Sequence, residues 1–215
     1  MGSAKKNASD RRARIEEMRR AEQARDRRNR ILTITVSAVI VLAIGGGAYW
    51  AVSAANEKDE QQAAEARKPV EGEKSWDPKK LGRNHVTEPV KYDMTPPVGG
   101  DHDQVWANCE GDVYKQAIAD KNAVHSLEHG AVWVTYNKSA AEADVKALEE
   151  KVGKTPYSLM SPYDGQKGTI MLSAWGKQLT VDKASDPRVD QFFTKYVQGP
   201  QTPEKGAACT GGIGQ

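Results

Sequence analysis

Within Ala123-Val124-His125-Ser126-Leu127-Glu128-His129-Gly130, two histidines stand four residues apart with a carboxylate between them. A β-branched and aromatic run, Ala131-Val132-Trp133-Val134-Thr135-Tyr136, follows the glycine directly. Imidazole is the commonest metal ligand among side chains and titrates nearest to neutral pH. The chain has four histidines, His85, His102, His125 and His129, all between positions 85 and 129. If this protein has a site, it is here.

The leading chemistry is metal binding. One helical turn puts His125 and His129 on the same side, and His102 and His85 can fold over to complete three or four nitrogen ligands. Imidazole suits Zn, Cu, Ni or Fe. The expected cofactor is therefore one transition-metal ion, copper or zinc, held by His85, His102, His125 and His129. Glu128 is expected to orient a histidine rather than touch the ion. Met94, in a loop, is a candidate soft ligand that would favour Cu(I). Met160 and Met171 fall in strand-like runs, where methionine packs a core.

Two other readings compete. In the first there is no metal: His85 and His102 bond to loop backbone, and Glu128 forms a buried hydrogen-bond network with His125 and His129. The protein is then a structural adaptor. In the second it is a metal-dependent hydrolase, because the motif fits the H-x-x-E-H pattern of inverted zinc proteases. That pattern belongs inside a long helix, and Gly130 with the β-branched run ends a helix at once. No catalytic residue is assigned, and enzymatic activity is not the expectation.

Whatever the site does, other segments must place it. The overall charge of +2 hides a division. Residues 1–30 carry 11 Lys/Arg and 5 Asp/Glu, a net +6, so the remaining residues are net −4. Residues 31–52, ILTITVSAVIVLAIGGGAYWAV, contain no charge and are long enough to cross a hydrocarbon core of roughly 30 Å. Tyr49 and Trp50 stand near the end of that run, where interfacial aromatics are enriched. The positive-inside rule predicts a cytoplasmic basic tail at 1–30, a transmembrane helix at 31–52 and an exported remainder. The basic tail's partner is then lipid headgroups rather than nucleic acid. A cleaved signal peptide is the alternative, given Ser53-Ala54-Ala55.

The two cysteines, Cys109 and Cys209, both fall on the exported side, where disulfides persist. They are too far apart for a redox C-x-x-C pair. They are expected to form a structural staple.

Residues 53–80 are rich in Glu, Lys, Gln and Ala and predict a stalk. The exported domain is assigned to 81–215. Leu81 to Gly111 is a long loop broken by Pro89, Pro96-Pro97 and Gly99-Gly100. Loops of this length are usually functional or disordered, and one holding His85, His102 and Cys109 is expected to be functional. Val132 to Tyr136 predicts a buried strand. Ser139 with Glu142 predicts a capped helix ending at Gly153. Tyr157 to Met160, Thr169 to Ala174 and Gln178 to Val181 predict strands. Asp186-Pro187 opens a second helix burying Val189, Phe192, Phe193 and Tyr196. The fold class is α+β, a β-α-β-β-α core with a mostly antiparallel sheet covered by two helices.

Several stretches together resemble the actinobacterial family known as domain of unknown function 3105. They are Gly82-Arg83-Asn84-His85-Val86, Tyr92 through Pro96-Pro97-Val98-Gly99-Gly100-Asp101-His102, and Trp106-Ala107-Asn108-Cys109. Val124 to Tyr136, Ser173-Ala174-Trp175-Gly176 and the Cys109/Cys209 pair complete the set. The family often reads PPTSGPH where this chain has PPVGGDH, so Asp101 replaces a proline while His102 is kept. The resemblance covers roughly residues 80–212. It implies a membrane-anchored or exported domain and no particular activity. The expected protein is thus a single-pass, membrane-anchored envelope protein with an extracytoplasmic domain. Copper handling or an accessory role beside a membrane protein complex would suit that placement.

Overall fold

The computed structural model describes residues 70–214 continuously, and before them residues 16, 18–20, 22, 25, 27–30, 32, 50 and 68. The chain divides into two units, Met1–Glu60 and Gln61–Gln215. In the first unit the described positions are helical and exposed, and Glu16 pairs with Arg20 one turn on, at 3.7 Å. The hydrophobic span expected at 31–52 lies outside the described residues apart from Leu32 and Trp50. Among the described residues, no helix is long and apolar enough to cross a membrane.

The second unit is an α+β domain. Its strands are β1 (Lys74–Ser75), β2 (Glu110–Val113), β3 (Val132–Tyr136), β4 (Ser158–Pro162), β5 (Ile170–Ala174) and β6 (Lys177–Val181). Its helices are α1 (Asp120–Glu128), α2 (Glu142–Val152) and α3 (Pro187–Tyr196). The strands form one sheet in the order β1-β6-β5-β3-β4-β2.

The sheet is mixed rather than mostly antiparallel. β3 pairs antiparallel with β5, β5 with β6, and β6 with β1. β4 runs parallel to β3 on one side and to β2 on the other. The physical reason is α2. A helix between β3 and β4 carries the chain back across the sheet, so β4 enters in the same direction as β3. β5 and β6, by contrast, are joined through Trp175-Gly176, with Gly176 at φ +66°, in the left-handed region that tight hairpins favour.

Alternation along the strands builds two apolar layers. Val132 and Val134 of β3, Met160 of β4, and Ile170, Leu172 and Ala174 of β5 pack with Leu148 and Val152 of α2 and Val189, Phe192 and Tyr196 of α3. Trp133 and Leu159 point the other way, against Ala123, Val124 and Leu127 of α1, Trp175 and the disulfide. The expected two covering helices are therefore joined by a third on the opposite face. α3 begins as expected, with the Asp186 carboxylate accepting from Arg188 N and Pro187 in the first turn. α2 does not. It starts at Glu142 without a side-chain cap, because Ser139 turns back to bond Asn137 Oδ1.

Residues 70–80, read from the sequence as the end of a stalk, pack with the domain. Val70 is buried in the α2/α3 layer, and β1 pairs with β6. The Tyr196 hydroxyl donates to Glu73 Oε2 at 2.6 Å.

Candidate metal centre

Helix α1 is short and almost wholly buried, and much of what it buries is polar. Asn122, His125, Ser126 and Glu128 are all enclosed. Buried polar groups need partners, and the long loop supplies them. Asn122 Nδ2 donates to Val105 O, Ser126 Oγ to Ala107 O, and His125 Nδ1 meets Asp103 O at 2.7 Å. Lys121 Nζ reaches the carbonyls of Val86, Thr87 and Glu88. The loop has little regular structure because α1 satisfies the backbone carbonyls that a sheet would otherwise have to satisfy.

The helix ends in the way its sequence requires. Glu128 is the last helical residue, His129 caps the helix, and Gly130 takes φ +98°. Gly130 N bonds Leu127 O and Ala131 N bonds Ser126 O, both at 3.0 Å. That is the Schellman arrangement, in which a left-handed glycine closes the helix. The helix therefore delivers His125 and Glu128 from its last turns and passes straight into β3.

The loop brings the other two histidines. His85 and His102 lie in short parallel pairing, with Val86 N on His102 O at 2.7 Å and His102 N on Asn84 O at 3.0 Å. Asp101, where the resemblance has proline, accepts from both Asn84 N and Asn84 Nδ2. It staples the His85 segment to the His102 segment. The His85 ring stacks on His125 at 4.8 Å between centroids and meets His102 edge-on at 5.0 Å.

Ligand atoms of His85, His102, His125 and Glu128 all lie within 4.8 Å of one another. His102 is 0% exposed and His125 3%, whereas His85 is exposed at the lip. His102 Nδ1 meets Gly100 O at 2.8 Å and His125 Nδ1 meets Asp103 O at 2.7 Å. A carbonyl cannot donate, so each Nδ1 carries the proton, and in the neutral ring Nε2 is left as a lone-pair donor to an ion. Tethering of this kind fixes a histidine for metal binding. His102 Nε2 is buried, lies 2.8 Å from Glu128 Oε2 and makes no hydrogen bond of good geometry. A buried nitrogen in that state, facing two imidazoles and a carboxylate, fits a metal ion.

His129 is near this group without belonging to it. Its ring is 4.5 Å from His125, and its Nδ1 is held by Ala208 O at 2.7 Å, while Trp106 packs against it at 5.0 Å. Glu128, expected from the sequence to act only through a histidine, has its own oxygens among the converging atoms. Met94 lines a cleft with Trp76, Met171 and Thr180 instead, and Met160 is buried in the α2/α3 layer.

Arg83 carries no signal of a role in the sequence. Its Nε donates to Glu128 Oε1 at 2.6 Å, and its NH2 lies 3.4 Å from Glu204 Oε1. An arginine between Gly82 and Asn84 in a loop looks like a solvated charge, and only the fold puts Glu128 beside it.

The electrostatics follow from these contacts. Burial works against the Glu128 carboxylate, but His102 and Arg83 outweigh it and hold the group at about 2. Burial lowers His125 to about 4, the Asp103 carbonyl only partly offsetting it, with the other histidines adding to the fall. Burial likewise lowers His129. Burial also opposes protonation of His102, but Glu128 and the Gly100 carbonyl reverse the balance and raise it. The site thus holds an ionised Glu128 beside a His125 that is neutral at neutral pH.

Behind the site, the Cys109–Cys209 disulfide closes with a Cα–Cα distance of 4.7 Å, within the range expected for such a bridge. It ties the tail under α1. Glu204 N bonds Glu128 O, and Ile213 N bonds Trp106 O.

The family model described as Protein of unknown function (DUF3105) matches residues 85–211. The chain belongs to that family. No curated protein and no solved structure matches it.

Proposed function

We propose that this chain is a single-pass envelope protein whose exported domain binds one transition-metal ion between His85, His102, His125 and Glu128. The observation that carries the reading is the buried His102 Nε2, which makes no hydrogen bond of good geometry and stands in a group whose ligand atoms lie within 4.8 Å of one another. The charge division around residues 31–52 supports a cytoplasmic tail and a membrane anchor, and the disulfide suits an oxidising compartment. Three nitrogens and one carboxylate oxygen suit zinc or copper. A copper-handling or accessory role at the membrane would use such a domain. In the test, metal-free full-length chain in detergent is titrated with Zn2+ and with Cu2+, and the bound ion is probed by X-ray absorption. One ion per chain with about three imidazole ligands is expected. Ions scattered over carboxylates, or a stoichiometry unaffected by His102→Ala, would overturn the reading.

The adaptor reading has its own support in the Arg83–Glu128–His102 contacts, which give the carboxylate partners without an ion. It predicts a protein that folds equally well and binds neither metal.

A further inference from the structure

Both oxygens of Glu128 are engaged: Oε1 takes Arg83 Nε at 2.6 Å and Oε2 lies 2.8 Å from His102 Nε2. The carboxylate is 1% exposed, so it has no solvent side to turn towards. An ion joining the three imidazoles and Glu128 would sit close to the Arg83 guanidinium, and like charges that near one another in a buried site repel strongly. Arginine and ion therefore compete for the charge of one buried carboxylate.

Arg83 is placed to leave. Its side chain is 47% exposed, while the backbone next to it is fixed through Asn84 to Asp101 and His102. A second carboxylate is already within reach, since Arg83 NH2 lies 3.4 Å from Glu204 Oε1. Glu204 is held beside the site by the bond from its own N–H to Glu128 O. The arginine can therefore release one carboxylate without losing the other.

We propose that Arg83 is a side-chain gate on this centre: it neutralises Glu128 in the ion-free protein and is retained by Glu204 when a cation takes its place. The proposal rests on the metal reading above and adds what sets its affinity. Arg83 then has the sign opposite to that of a residue that orients a ligand. Removing it strengthens metal binding. Removing Glu204 weakens binding, because the displaced guanidinium loses its second partner.

The test is Zn2+ titration of metal-free full-length chain in detergent, read by competition with a chelator of known affinity. Arg83→Gln is expected to tighten binding about tenfold or more, the effect of deleting a competing charge-assisted hydrogen bond. Glu204→Gln is expected to weaken it by up to about fivefold, as for a partly exposed pair. In the Arg83→Gln background, Glu204→Gln is expected to have almost no effect, which is the coupling a double-mutant cycle isolates. Should Arg83→Gln fail to fold, Arg83→Lys replaces it, with a smaller tightening expected. Unchanged or weaker binding without Arg83, in a protein that otherwise binds zinc, would overturn the gate alone. An equal loss from Glu204→Gln in both backgrounds would overturn it too, as simple long-range attraction. Failure of the natural chain and every variant to bind would remove the metal centre and the gate together.

Discussion

His102 and Glu128 face each other at 2.8 Å, the ring 0% and the carboxylate 1% exposed. The contact raises the ring's affinity for a proton and lowers that of the carboxylate. Helix α1 contributes the carboxylate and the loop contributes the ring, so the pair also locks the loop onto the helix.

In ion-free protein the site should weaken the fold on acidification. His125 is lowered to about 4 in the folded chain from an ordinary 6.5, so its contribution is present above pH 6.5 and is lost as pH falls toward 4. His129 acts in the same direction. His102, raised in the folded chain, acts the other way, favouring the fold below pH 6.5, and the larger shift at His125 sets the net sign. Glu128 adds a further loss between its ordinary 4.5 and about 2. Urea midpoints measured in chelator should fall from pH 7 to pH 4, less so in His125→Gln. A midpoint that rises over that interval would contradict these assignments.

Gly130→Ala should destabilise the domain by roughly 1–3 kcal/mol. The position needs φ +98°, and an added Cβ would lie 2.5 Å from Gln198 Nε2 and 2.8 Å from Thr202 Cγ2. Denaturant unfolding reads the change, and full stability in the variant would show that the helix end can relax.

Reducing the Cys109–Cys209 bridge should cost about 4–5 kcal/mol in the chain-entropy picture, given a closed loop of about 100 residues. The separation is 100. The Tm of the double serine variant should fall by many degrees. An unshifted Tm would mean that the tail is held by its hydrogen bonds to Trp106, Asn108 and Glu128 alone.

A reporter that is active only outside the cytoplasm should work when fused after Gln215. The prediction comes from the charge division around residues 31–52, and a C-terminus labelled from the cytoplasm would contradict it.

Some of this molecule can be read in its sequence. Val132–Tyr136 and the Asp186-Pro187 helix start carry strong local signals, periodic β-branched residues in one case and a cap in the other. The parallel pairing of β4 with β3 carries none, because register and direction between strands depend on how α2 packs back across the sheet. Of helix α1 only a turn at His125–His129 is legible, because the helix is buried on both sides. Sheet residues cover one face and the loop the other, so no polar stripe remains to mark its period. The convergence of His85, His102 and His125 is legible from residue type and from the loop that carries two of them, but the fourth member is not. His129, one turn from His125, turns to Ala208, while Glu128 enters the group through contacts with Arg83 and His102, 45 and 26 positions away in sequence.

The most direct measurement is the metal content of full-length chain purified after exposure to Zn2+ or Cu2+ and exhaustive removal of loose ions. The centre described here predicts one ion per chain, lost in His102→Ala and in His125→Ala and retained in His129→Gln. A chain that carries no ion, or His102→Ala and His125→Ala variants that retain one, would contradict it.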